Sequence, residues 1–244
     1  MVRLYRLVHE GAPRYAAERE GTWRLVDGDV FGGGLRMGEE IDGEGVTMLA
    51  PVAPSKVVCV GVNYRDHAAE ANTPLPSEPR IFVKPSTAVI GPGERIEVPP
   101  WAGRVDHEAE VGVVIGKRAS RVRAKAAAAH VLGLTCVNDV SAHDIQAFDT
   151  FAPIGPCVAL GLEGWDLQVR GYVNGDLRQQ SRTREFIFTI PELVEFISSV
   201  MTLLPGDIIS TGTPSGVGPI RPGDSVTIHV EGVGALTNPV VARP

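Results

Sequence analysis

Asp106-His107-Glu108-Ala109-Glu110-Val111-Gly112-Val113-Val114-Ile115 sets alternating acids directly before an apolar run. The valine-rich second half has the composition of a buried strand. If the strand includes the first half, side chains alternate between faces, and Asp106, Glu108 and Glu110 share one of them. Carboxylates side by side repel each other, and removing them from water costs more still. A divalent cation at the mouth of the strand would compensate. An all-oxygen set suits Mg²⁺, Ca²⁺ or Mn²⁺ better than Zn²⁺. The same stretch fits a solvated strand end equally well, with its acids facing water.

Further acids lie outward along the chain. Cys136-Val137-Asn138-Asp139 ends an apolar strand on a carboxylate, which favours the cation reading. Asp139 also suits a turn or helix cap. Ser141-Ala142-His143-Asp144 has the pattern of a helix start. In Gly61-Val62-Asn63-Tyr64-Arg65-Asp66-His67-Ala68-Ala69-Glu70, a helix over 65–71 would bring His67 and Glu70 to one face. A carboxylate beside an imidazole builds a general base. Taken alone, a surface pair is the plainer reading. Ser210-Thr211-Gly212-Thr213-Pro214-Ser215-Gly216-Val217-Gly218 offers hydroxyls and backbone N–H groups that suit an anion, or an ordinary glycine-rich turn. No lysine follows in the P-loop position.

The rest of the chain reads as many short strands and few helices, an α+β organisation dominated by β-structure. Residues 1–50 form a small β-rich unit, Leu49-Ala50-Pro51-Val52-Ala53-Pro54 is a linker, and the main body runs over 55–244. Strands are expected at 56–61, 80–84 and 134–137, and a helix over the alanine-dense 124–132, ending at Gly133. Thr189-x-x-Glu192 with Pro191 opens a helix whose apolar residues recur to Leu204.

A chain of 244 residues, 43% hydrophobic and 21% charged, can bury a full core. Its net charge of -6 argues against a nucleic-acid surface. No apolar window is long enough to span a bilayer, so no membrane partner is expected. Arg3 and Arg6 interrupt the opening apolar stretch, unlike a signal peptide, and a cytoplasmic location is expected. Cys59, Cys136 and Cys157 form no CxxC pair and read as buried free thiols.

Six segments in order resemble the fumarylacetoacetate hydrolase family over residues 55–244. They are Val60 to His67, Lys84-Pro85, His107 to Glu110, Asn138 to Ser141, Phe148 to Phe151 with Gly155-Pro156, and Thr211 to Gly218. The lead-in resembles the small N-terminal domain of some bacterial members. The resemblance implies the family's α+β fold, a rolled β-sandwich with a few helices, in a homodimer. It implies Mg²⁺ or Mn²⁺, with Ca²⁺ a third candidate, on Glu108, Glu110 and Asp139, and a catalytic dyad of His67 and Glu70. Lys84, His143, Gln146 and Thr213 match positions near a small 2-oxo or enol carboxylate substrate.

Two departures bear on these expectations. Many members carry Arg where this chain has His143, which exchanges a permanent cation for a titratable ring. The family also has a longer segment, often a lid with a catalytic lysine, where Gln146-Ala147-Phe148-Asp149 joins directly here. The expected activity is a decarboxylase or isomerase of an unsaturated 2-hydroxy/2-oxo diacid in aromatic catabolism of the homoprotocatechuate type. An acylpyruvate hydrolase or oxaloacetate decarboxylase is the alternative within the family. A non-catalytic small-acid-binding member is the alternative outside catalysis.

Overall fold

The computed structural model describes residues 1–142 and 148–243. A twelve-stranded sheet runs in the order Arg36–Ile41, Thr22–Asp27, Ala12–Arg19, Val2–His9, Ala152–Leu160, Val131–Asn138, Ala109–Ile115, Ile208–Ser210, Lys56–Val60 and Ile81–Pro85. Thr47–Leu49 and Val89–Ile90 pair onto it from outside that path. A five-stranded sheet comprises Asp176–Arg182, Gln168–Val173, Ser225–Val230, Gly234–Ala242 and Ile96–Val98, and a three-stranded one comprises Ser141–Ala142, Val105–His107 and Gly218–Pro219. This is the mainly β, α+β architecture expected. The N-terminal hairpins turn at Glu10-Gly11 and Glu20-Gly21, with both residues of each turn at positive φ, the geometry that follows strand twist. Val2–His9 then pairs with Ala152–Leu160, which joins the lead-in to the main sheet.

Ala109–Ile115 is buried along its whole length because it lies between two cores. Val111, Val113 and Ile115 pack with Ile228 and Val230, whereas Val114 packs with Val57, Cys59 and Ile208. Burial on both faces explains a continuous apolar run where a one-sided strand would alternate. Each such valine contributes roughly 1.5–3 kcal/mol. Gly112 is required by close packing, since a Cβ there would lie 2.6 Å from Val137 Cγ2 and 2.7 Å from Thr135 Cγ2.

Four local expectations are corrected. The strand through Asp106 and Glu110 is two strands, Val105–His107 and Ala109–Ile115, in different sheets and parted at Glu108. The alanine run forms a 3₁₀ segment, Ala124–His130, and the chain then enters strand Val131–Asn138. Gly133 is therefore no helix cap; a Cβ on it would sit 2.4 Å from Ala159 O in the neighbouring strand. Alanine's helix propensity is worth little over so short a run, and strand pairing on both sides of 131–138 overrides it. Ser141–Ala142 is a strand paired with Val105–His107, not a helix start. The capped helix spans Ile190–Val200, with Thr189 N–H donating to Glu192 Oε2 at 2.7 Å. It stops short of Leu204 because the backbone of Leu203 bridges to Ala119 instead.

Buried Asp207 ties the start of Lys56–Val60 to its parallel neighbour Ile208–Ser210. Its carboxylate accepts from Ser55 N–H at 3.0 Å, Ser55 Oγ–H at 2.6 Å, Lys56 Nζ at 2.5 Å and Leu204 N–H at 2.8 Å. Among the described residues no helix is long and apolar enough to cross a membrane.

Candidate active site

Glu108 sits where the chain passes from the three-stranded sheet to the main sheet. Its N–H donates to Asn138 Oδ1 at 3.1 Å, and Asp139 N–H donates to Glu108 O at 3.0 Å. With Ala109 opposite Asn138 in the ladder, Glu108 and Asp139 face one another, and Glu110 lies two residues beyond Glu108. Carboxylate oxygens of Glu108, Glu110 and Asp139 lie within 4.8 Å of one another. Asp106 is not part of this set. The break at Glu108 separates it, and both its oxygens accept from Arg104 Nε, at 2.8 and 3.0 Å.

Glu110 and Asp139 are buried, and Glu108 is partly exposed. Glu110 Oε2 accepts from Ser210 Oγ–H at 2.5 Å and Gly212 N–H at 2.8 Å, while Oε1 is buried with no partner among the described residues. Asp139 is ion-paired with Lys84, whose side chain is wholly buried. The Lys84 ammonium also donates to Val140 O at 2.6 Å and Phe151 O at 2.8 Å. Burial, then the charge of Asp139, pushes Glu108 up to about 8, with Lys84 pulling the other way. Burial, then Asp139 and Glu108, holds Glu110 well above the usual carboxylate range, against its hydrogen bonds from Ser210 and Gly212.

This set fits a divalent cation. Its donors are all carboxylate oxygens. An ion roughly 2.0–2.6 Å from each ligand places those ligands no more than about 5 Å apart. The three acids against Lys84 leave two net negative charges when ionised, and no described residue donates to the buried Glu110 Oε1.

His67 and Glu70 lie on helix Arg65–Glu70, one turn apart. His67 Nδ1 is 3.7 Å from Glu70 Oε2, within ion-pair reach, and has no hydrogen bond among the described residues. Glu70 accepts from Gly216 N–H at 3.0 Å. Neighbouring Asp66 accepts from Ser181 Oγ–H at 2.5 Å and from Ser215 N–H at 3.4 Å. The loop 211–216 therefore runs from the carboxylate cluster to the helix. Its backbone N–H groups at Gly212, Ser215 and Gly216 are spent on the protein's own carboxylates, Glu110, Asp66 and Glu70. Thr213 is buried and donates to Ala109 O at 3.2 Å.

His143, Gln146 and the Gln146–Ala147 junction lie outside the described residues. The hydroxyl of Ser210, in the stretch whose sequence suits an anion, is directed at the Glu110 carboxylate, whereas Gln179 carries no local signal, being a polar residue in an unremarkable strand whose partners are distant in the chain. An apolar cavity of about 520 Å³, lined in part by Leu134, Trp165 and Phe186, contains none of these carboxylates.

A β-rich scaffold in which one loop links an oxygen-donor cluster to a histidine–carboxylate helix defines a class of sites suited to small acids. The chain belongs to the fumarylacetoacetate hydrolase family: the family model described as "Fumarylacetoacetate (FAA) hydrolase C-terminal" matches residues 56–241. A second model, "Rv2993c-like, N-terminal", matches residues 2–51. Solved members named as isomerases and hydrolases have this fold, and the chain is an enzyme of that family. The structure of 5-carboxymethyl-2-hydroxymuconate delta-isomerase from Mycobacterium smegmatis is 42% identical with a TM-score of 0.92, covering 99% of this chain and 100% of that one. Maleylpyruvate hydrolase from Sphingobium sp. SYK-6, solved with manganese(II) and pyruvate, is 29% identical with a TM-score of 0.85, covering 99% and 100%. Mitochondrial oxaloacetate tautomerase FAHD2B of Bos taurus is 44% identical over 219 residues, 80% of this chain and 70% of that protein.

Proposed function

We propose that the chain is a divalent-metal-dependent enzyme that isomerises or decarboxylates an unsaturated 2-hydroxy/2-oxo diacid in the breakdown of aromatic compounds. The observation that carries this reading is the convergence of Glu108, Glu110 and Asp139, with Glu110 Oε1 buried and unpartnered among the described residues. Those three side chains would hold Mg²⁺ or Mn²⁺, and Lys84 balances Asp139 from the interior side. When bound, the ion supplies Lewis-acid polarisation of a 2-oxo oxygen.

The remaining chemistry falls to the dyad. Glu70 across from His67 Nδ1 favours the tautomer protonated there, which leaves Nε2 to accept a proton. In an isomerisation, His67 removes the proton from a carbon conjugated with the 2-oxo group and returns it to another carbon of the same system. In a decarboxylation, Nε2 first takes a proton from solvent and then delivers it to the carbon that has lost carbon dioxide. Gly216 N–H fixes Glu70 in place for both. The named isomerase and tautomerase relatives, at 42% and 44% identity, support proton transfer as the reaction type. Hydrolysis of a carbon–carbon bond is the second reading, favoured by the likeness to maleylpyruvate hydrolase.

A panel of unsaturated 2-oxo diacids, oxaloacetate and acylpyruvates, assayed with Mg²⁺ and with Mn²⁺, tests the proposal. We expect turnover of an unsaturated diacid that a chelator abolishes. Turnover of acylpyruvates alone would favour the hydrolase reading. No turnover of any compound would leave a small-acid-binding member of the family.

A further inference from the structure

Gln179 lies in strand Asp176–Arg182 of the five-stranded sheet, and its side chain is buried while the residues on either side are exposed. Oε1 accepts from Ala109 N–H at 2.9 Å. Nε2 donates to Thr213 Oγ1 at 2.8 Å and to Pro214 O at 2.8 Å. Thr213 Oγ1 in turn donates to Ala109 O at 3.2 Å. These bonds close a ring through Gln179, Thr213 and the backbone of Ala109. The opposite amide orientation would set an NH₂ against the Ala109 N–H and a carbonyl against Pro214 O, so the network selects the one described.

Ala109 is the spacer between Glu108 and Glu110. A clamp on both its N–H and its C=O limits rotation of the two peptides that aim those carboxylates. Thr213 belongs to the loop that also supplies Gly212 N–H to Glu110 and Gly216 N–H to Glu70. That loop is pressed onto the strand of Gln179. Gly216 adopts φ +90°, and a Cβ on it would lie 2.1 Å from Arg178 O. One amide, from a different sheet, thus ties the carboxylate strand to the loop that serves the dyad.

We propose that Gln179 is a positioning residue that couples the Thr213 loop to the Glu108 and Glu110 carboxylates and sets their readiness to take a divalent cation. This rests on the metal-binding reading above. Partners that orient metal ligands from behind typically change metal affinity by about 10–100-fold when removed.

The test is calorimetric titration of Mn²⁺ into the full chain, with thermal melts alongside. Wild type must bind Mn²⁺ and Glu110→Gln must abolish the binding; if not, the metal reading fails and this inference with it. Given that binding, Gln179→Met, which keeps the volume but opens the ring, is expected to weaken it about ten-fold or more. Thr213→Val opens the same ring from its other side and should weaken it similarly. The double variant should cost no more than either single change, because both break one ring, whereas two merely structural defects would add. Mn²⁺ affinity unchanged in Gln179→Met, or fully additive losses, overturns the proposal. Should Gln179→Met not fold, unchanged Mn²⁺ affinity in Thr213→Val overturns it equally.

Discussion

Lys84 and Asp139 form an ion pair from which solvent is excluded, between a strand at one edge of the main sheet and the residue that follows its central hairpin. The ammonium also satisfies Val140 O and Phe151 O, so all three of its protons are directed at the protein interior. Lys84 is thereby a fixed countercharge to one member of the carboxylate cluster. A buried pair is costly to break from one side, because the remaining charge is stranded.

Lys84→Met retains the apolar stem and removes the charge. We expect it to destabilise the metal-free protein by about 3–5 kcal/mol, read by urea unfolding in chelator. A loss below about 1 kcal/mol would mean that the pair contributes no more than an exposed one.

The cluster also makes stability depend on pH. Glu108 is pushed up to about 8 in the folded chain, whereas an unfolded glutamate titrates near 4.3. Between those values the folded state holds more protons than the unfolded state, so stability falls as pH rises. Its contribution is complete below the unfolded value and is lost as pH passes through about 8. Melting temperature in chelator should therefore decline over that range, and Mg²⁺ or Mn²⁺ should reverse the decline by neutralising the carboxylates. Ion binding at pH 7 should release protons, measured by calorimetry in buffers of different ionisation enthalpy. An ion-binding heat that is independent of buffer would contradict the raised value.

His67→Ala should separate chemistry from metal binding. Turnover is expected to fall about 10²–10⁴-fold, as for loss of a general base, with Mn²⁺ affinity unchanged. Parallel loss of both would make His67 a ligand or a structural residue.

Asp207→Ala should be destabilising without touching the site. Its buried carboxylate holds Ser55, Lys56 and Leu204 where two parallel strands begin. Loss of about 3–5 kcal/mol is expected in urea unfolding, with Mn²⁺ affinity retained in the folded fraction. A change within about 0.5 kcal/mol would show the network to be dispensable.

The sequence alone determined the elements whose signals are local. The apolar run 111–115 announced a buried strand, Thr189-x-x-Glu192 with Pro191 announced a capped helix, and the His67–Glu70 spacing announced one helical face. Ordered motifs also pointed to the family, to the mainly β fold and to three acids as one candidate group. Tertiary structure decided which groups meet. Asp106 shares a local pattern with Glu108 and Glu110, yet a strand break that no propensity marks sends it to Arg104. The alanines at 124–130 favour an α-helix by composition, but the pairing of the following strand wins, because two ladders outweigh a short run of propensity. The ring of Gln179, Thr213 and Ala109 joins residues 34, 70 and 104 positions apart. Nothing within a few residues of Gln179 encodes those partners; they come together only when one sheet packs on another, which is a property of the whole chain.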